Sequence, residues 1–211
     1  MKLNICLITP TYNEQKNIHI ITENISLLKP KEVIIVDGHS NDNTRKLLKN
    51  LKIIKTKASR GTQLKKGAAH SKQEWLLFNH ADTRLYIENI KEIKCFINKN
   101  NINKVGFFHL KFNSSSIFAY FISNWANLRS KVFNMPFGDQ CLLINRFYYE
   151  RIGGYEEIDK MEDMAIMLKI PNENKIFFNS YVETSFSKYK SNGIIVQSFK
   201  NILNQIFFLL K

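Results

Sequence analysis

Short apolar runs and longer amphipathic ones alternate through the first eighty residues. Leu3–Thr9, Glu32–Asp37, Leu51–Thr56 and Glu74–Asn79 are brief, rich in Ile, Val and Leu, and read as strands. Between them, Glu14–Leu28, Asn41–Asn50 and Gly61–Ser71 carry apolar residues at helical spacing, so each strand is followed by a return helix. Repeated β-α units predict an α/β fold with a mostly parallel sheet and right-handed crossovers. After Asp82 the rhythm changes. A helix over Tyr86–Ile97 leads to a strand over Val105–Phe112 and a long aromatic-rich helix over Ile117–Phe133. Strands at Gln140–Asn145 and Lys175–Asn179 then flank a short helix at Met161–Lys169, which makes the second half mixed. No Gly/Ser linker, repeat or low-complexity block interrupts the chain. Residues 1–192 therefore read as one domain, followed by an amphipathic helix over 193–211 whose apolar face holds Ile195, Phe199, Ile202, Ile206 and Leu210.

Composition narrows the picture modestly. A chain of 211 residues has material for one substantial core. Its 31 basic and 18 acidic side chains leave a net charge of +13, which favours phosphorylated ligands, nucleic acid or an anionic membrane leaflet. A Lys-, Asn- and Ile-rich coding bias at solvated positions gives the same excess. The basic residues are spread along the chain without a nucleic-acid-binding motif, so no nucleic-acid partner is expected. Cys6, Cys95 and Cys141 are far apart and lack C-x-x-C spacing, which suggests reduced thiols rather than a disulfide framework or zinc site. The first apolar segment is too short and too early for a signal peptide or a spanning helix, and a cytoplasmic location is expected.

In open α/β sheets ligands bind beyond the carboxyl ends of the strands. Three strand ends here are polar, acid-bearing turns: Ile8-Thr9-Pro10-Thr11-Tyr12-Asn13-Glu14, Val36-Asp37-Gly38-His39-Ser40-Asn41-Asp42 and Asn79-His80-Ala81-Asp82-Thr83. In that order, and with Met161-Glu162-Asp163 further on, they resemble the family 2 glycosyltransferases. That family's first strand ends in P-T-x-N-E, its second in V-D-x-x-S-x-D, and its fourth in a D-x-D-like turn. Arg60-Gly61, His80-Ala81-Asp82-Thr83 and Gly138-Asp139-Gln140 are similar to segments of a compact bacterial subgroup whose acidic turn reads H-A-D-T.

The resemblance implies a GT-A-like fold, with a Rossmann-like nucleotide-binding sheet and a mixed acceptor-side half. It also implies an inverting transfer of a sugar from a nucleoside diphosphate sugar to a hydroxyl acceptor. On that reading Pro10, Thr11, Glu14 and Asp37 line the nucleotide pocket, with Asp37 accepting hydrogen bonds from the base. Arg60 and Gln63 reach the nucleotide, and Asp82 holds Mg²⁺ or Mn²⁺ against the diphosphate, since hard divalent ions take carboxylate and phosphate oxygens. His80 stands where the family has the first Asp of its pair. An alcohol is a poor nucleophile until its proton is being removed, and Asp163 is the expected base, with Glu162 orienting the loop or the acceptor. Gly138, Asp139 and Gln140 are placed on the acceptor side. Lys188-Tyr189 replaces the more usual Arg-Trp, offering the diphosphate a point charge in place of a bidentate fork.

Each of these residues also has a plainer reading. Ser40 and Asp42 are good helix N-caps. Asp82 is a helix-cap candidate, Arg60 suits a solvated surface, and Glu162-Asp163 favours a helix N-terminus. Gly138–Gln140 has the composition of a simple turn. The C-terminal helix, with Lys188, Lys190, Lys200 and Lys211 near its apolar face, fits three uses: packing on the sheet, contact with a second copy in a homodimer, or lying in a membrane interface close to a lipid-linked acceptor. Phe118, Tyr120, Phe121 and Trp125 pose the same choice between core and lipid. The rival enzyme is a nucleotidyltransferase. It would normally place a Gly-rich phosphate loop after strand one, where this chain has no glycine until Gly38, and a G-x-G-x-x-G dinucleotide site is missing for the same reason.

Overall fold

The computed structural model describes residues 2–209. Seven strands, β1 (Leu3–Thr11), β2 (Pro30–Asp37), β3 (Lys52–Lys55), β4 (Trp75–Phe78), β5 (Val105–Phe112), β6 (Leu142–Asn145) and β7 (Lys175–Thr184), form one sheet in the order β3-β2-β1-β4-β6-β5-β7. Pairing is parallel throughout except where β6 lies antiparallel between β4 and β5. The helices are α1 (Ile18–Leu28), α2 (Thr44–Leu47), α3 (Arg60–Ala69), α4 (Ile87–Asn98), α5 (Ile117–Phe133), α6 (Arg146–Arg151), α7 (Glu162–Leu168), α8 (Ser187–Asn192) and α9 (Ile194–Leu209).

The apolar run of β1 is continuous because both of its faces are covered. Cys6 and Ile8 join a core with Leu64, Tyr155 and Ile166 on one side, while Ile5 and Leu7 join Leu28, Ile90 and Ile93 on the other. Residues 5 to 8 are fully buried, and each such side chain contributes roughly 1.5–3 kcal/mol of burial free energy. β1 pairs with β2 on one side and β4 on the other, so the chain leaves the carboxyl end of β1 at a topological switch point, where a crevice opens.

Most predicted elements are present, with informative shifts. The helix expected over Asn41–Asn50 contracts to α2, and the backbone N–H groups of Asn41 and Asn43 ahead of it donate to the side chains of Asn13 and Gln15, at 2.9 and 3.0 Å. Gln15–Asn17 forms a 3₁₀ turn ahead of α1, and Gly138–Gln140 forms another ahead of β6. β7 runs on to Thr184, because Tyr181–Thr184 pair with His109–Phe112 after a register shift. α6 and α8 were not expected. The predicted face of the last helix is described at Phe199; Leu210 and Lys211 lie outside the described residues. No helix among the described residues is long and apolar enough to cross a membrane.

Candidate active site

The turns after β1 and β2 are tied into one knot around Asp37, which is fully buried. Thr11 Oγ1 donates to Asp37 Oδ1 at 3.1 Å, Ser40 Oγ donates to the same oxygen at 2.5 Å, and Ser40 N donates to Oδ2 at 2.9 Å. Arg45 Nε lies 3.6 Å from Oδ2. Ser40 Oγ in turn accepts from Asn13 N at 2.9 Å, and Thr44 Oγ1 accepts from Glu14 N at 2.8 Å. Gln63 Nε2 closes the knot by donating to the carbonyls of Thr11 and Val36 at 2.9 and 2.7 Å. Thr11, Asp37 and Gln63, expected to touch a nucleotide, are thus occupied with one another. They hold two strand ends in register, and in this structure Asp37 has no open face to offer a base. Pro10 is half-buried at the end of β1.

Glu14 points toward the acidic turn. Its carboxylate accepts from Asn17 Nδ2 at 2.6 Å, and burial, reinforced by the nearby charge of Asp82, pushes its pKa up.

The turn after β4 is held from behind. Asn79 Nδ2 and Asn24 Nδ2 both donate to the carbonyl of Thr83, at 3.0 and 2.8 Å. This presents Asp82 to the crevice and brings His80 Nδ1 within 3.0 Å of Asp139 Oδ1. Desolvation alone would raise the pKa of Asp139, although its side chain is only half-buried. The hydrogen bond and charge of His80, helped by Lys188 and Arg60, instead hold it well below the ordinary carboxylate range.

Gly138 sits against both this turn and the proposed base. A Cβ on it would lie 2.6 Å from His80 Nε2 and 2.7 Å from Asp163 Oδ2.

Glu162 and Asp163 begin α7 directly after Met161, whose φ of 63° is left-handed. His39 (φ 62°) and Cys141 (φ 56°) also have positive φ, in the turn after β2 and directly before β6. Glu162 is buried, with Oε1 3.3 Å from an Arg60 guanidinium nitrogen. Burial and the neighbouring Asp163 raise its pKa to about 7, against the opposing pull of Arg60. Asp163 Oδ1 is buried without a hydrogen-bond partner among the described residues.

Arg60 reaches this cluster because Gly61 lets α3 press against the 156–158 loop. A Cβ there would fall 2.1 Å from the Glu156 carbonyl oxygen, and Ser59 Oγ donates to the Ile158 carbonyl at 3.1 Å. Desolvation would lower the Arg60 pKa, but Asp163, Glu162, Asp139 and Asp82 together raise it. One guanidinium therefore lies in the field of four carboxylates from three separate segments of the chain.

These groups open onto a cavity of about 560 Å³ lined by Arg60, Asp82, Asp139, Glu162, Asp163 and Lys188. Leu110, Phe112, Phe121, Ile122 and Trp125 add apolar lining to it. Gln140, expected on the acceptor side, is among the residues lining the cavity, but its amide is engaged by the protein. Its Oε1 accepts from Ser130 Oγ at 2.7 Å and from Phe137 N at 3.2 Å, and its Nε2 donates to the Phe108 carbonyl at 3.0 Å. It braces the turn that carries Asp139.

Arg129 was not anticipated. It lines the cavity, stacks 3.9 Å over the Phe137 ring, and has an Nε buried without a hydrogen-bond partner among the described residues. The lack of any acid on its helix was the available signal. No group of three or more His, Cys, Asp or Glu residues forms a metal cage among the described residues.

The family model described as glycosyl transferase family 2 matches residues 6–169. No match occurs among curated proteins. Among solved structures, S. aureus TarS 1–349 in complex with UDP-GlcNAc is similar with a TM-score of 0.68 at 18% identity, covering 88% of this chain and 58% of that one. S. aureus TarS 1–349 gives a TM-score of 0.65 at 20% identity, covering 88% and 60%. The mannosyltransferase PcManGT from Pyrobaculum calidifontis, in complex with GDP-Man and Mn²⁺, gives 0.59 at 17% identity, covering 87% and 57%. The chain spans about 60% of the length of these proteins or less, and the likeness at such identities is one of fold. That fold is the GT-A arrangement expected from the sequence, with a mixed sheet.

Proposed function

The chain belongs to glycosyl transferase family 2, and we propose that it moves a sugar from a nucleoside diphosphate sugar to a hydroxyl acceptor with inversion, using a divalent ion and Asp163 as base. The observation that carries this reading is the meeting of Asp82, Asp139, Glu162 and Asp163 around Arg60 in one cavity. UDP-GlcNAc in TarS and GDP-Man in PcManGT support the donor class.

The residues present fit a divalent ion of the kind seen in PcManGT. Mg²⁺ and similar hard ions are commonly held by one or two carboxylates together with substrate phosphates, so the lack of a protein cage is no obstacle. Asp82 would hold the ion, which supplies charge neutralisation for a departing diphosphate.

In the transfer, the acceptor oxygen bonds to the anomeric carbon as the bond from that carbon to the diphosphate oxygen breaks, and the hydroxyl proton passes to Asp163. Asp163 lines the cavity in which the acceptor would sit, as a base acting on that hydroxyl must. A single displacement inverts the anomeric configuration. Arg60 holds Glu162 in place, and Lys188 adds positive charge on the diphosphate side. The half-apolar cavity suits an acceptor with both hydroxyl and hydrocarbon parts, such as a lipid-linked one. Incubation with UDP- and GDP-sugars, Mn²⁺ and hydroxyl acceptors tests the reading. Nucleoside diphosphate release that increases with acceptor is expected; no release from any donor overturns it.

A further inference from the structure

Helix α5 is built inside out. Its core side carries the small residues Ala119, Ser123 and Ser130, which are buried. Its outer side carries Phe118, Phe121, Trp125, Leu128 and Val132, spaced three and four apart and each more than half exposed. A helix stabilised only by its own domain would place those residues the other way round. Helix α9 repeats the feature with exposed Val196, Phe199 and Phe207 beside Lys200.

Charge states what such a surface would meet. No Asp or Glu occurs between Glu92 and Asp139 or after Glu183, whereas Lys131, Lys190 and Lys200 lie on α5, α8 and α9 outside the cavity. An apolar stripe flanked by cations and free of carboxylates matches hydrocarbon beneath anionic headgroups. A second copy would bring cations against cations. The stripe is also continuous with the active site, because Phe121 and Trp125 both belong to it and line the cavity that holds Asp163.

We propose that the α5 face, with α9 beside it, docks on a bilayer of anionic lipids and opens the acceptor half of the cavity toward that surface. The docking rests on the exposed face alone; the acceptor's arrival from the bilayer rests on the glycosyltransferase reading.

The full chain provides its own probe. Trp75 is buried and Trp125 is exposed, so a change in tryptophan emission on vesicle binding reports on the α5 face. With vesicles containing phosphatidylglycerol, the protein should float with the lipid and its emission should shift to shorter wavelength; vesicles of phosphatidylcholine alone should bind at least tenfold less. The triple variant Phe118→Ser/Leu128→Ser/Val132→Ser changes only exposed residues outside the cavity. It should keep the wild-type melting temperature and donor-induced thermal shift while losing vesicle binding tenfold or more. Wild-type protein that stays unbound, equal binding by the triple variant, or a dimer in sedimentation that the triple variant dissociates would each overturn the docking. None of these outcomes alters donor binding, which tests the activity separately.

Discussion

His80 Nε2 and Asp163 Oδ2 both border Gly138, where there is room for a hydrogen but not for a methyl group. The residue that replaces the family's first acidic ligand and the proposed base thus crowd the same glycine. Gly138→Ala would place a carbon within 2.7 Å of both side chains. Overpacking of this kind costs about 1–3 kcal/mol, or roughly 2–12 °C in melting temperature for a chain of this size. Transfer should fall as well, since both side chains must move. A calorimetric melt and a turnover assay check this, and an Ala variant unchanged in both would show that the contact has slack.

Asp163→Asn retains the shape of the side chain and removes its capacity to take a proton. Donor affinity should stay near wild type, while transfer drops by about 10²–10⁴-fold, the usual contribution of a general base. Titration calorimetry and single-turnover kinetics separate the two. Near-normal turnover would assign the base to another group.

Glu162 gives stability a pH dependence of defined sign. Its folded pKa is about 7, above the ordinary 4.5, so between those values the folded chain binds more protons than the unfolded one and stability falls as pH rises. The contribution is complete below 4.5 and gone above 7. Glu162→Gln fixes the neutral form, and urea denaturation between pH 5 and 8 should show a flatter decline than wild type. Identical slopes would mean that Glu162 titrates normally.

The sequence was most legible where one element settles the matter. Helix α5 and strand β5 have the bounds the sequence pattern predicts, α5 as a long run at helical spacing and β5 as a short apolar run. The acid-bearing turns were legible as places, less so as roles. Asp37, Gln63 and Gln140 have the chemistry of ligand contacts, yet each is consumed by partners 26, 52 and 32 residues away, among others. Nothing local announces such partners. The same distance hid the Arg60–Glu162 pair, 102 residues apart, and the His80–Asp139 pair, 59 apart. The antiparallel insertion of β6 between β4 and β5 is likewise a tertiary choice.

On the proposed function, a nucleoside diphosphate sugar and a divalent ion share the cavity at Asp82. Thermal melts with a panel of UDP- and GDP-sugars, with and without Mn²⁺, check for both at once. At a concentration near 100 times Kd, binding adds about 2.7 kcal/mol, which corresponds to roughly 5–11 °C here. At least one donor should produce that shift with Mn²⁺, and Asp82→Ala should abolish it. A panel that leaves the wild-type melt unmoved, or a shift that survives undiminished in Asp82→Ala, would contradict the account.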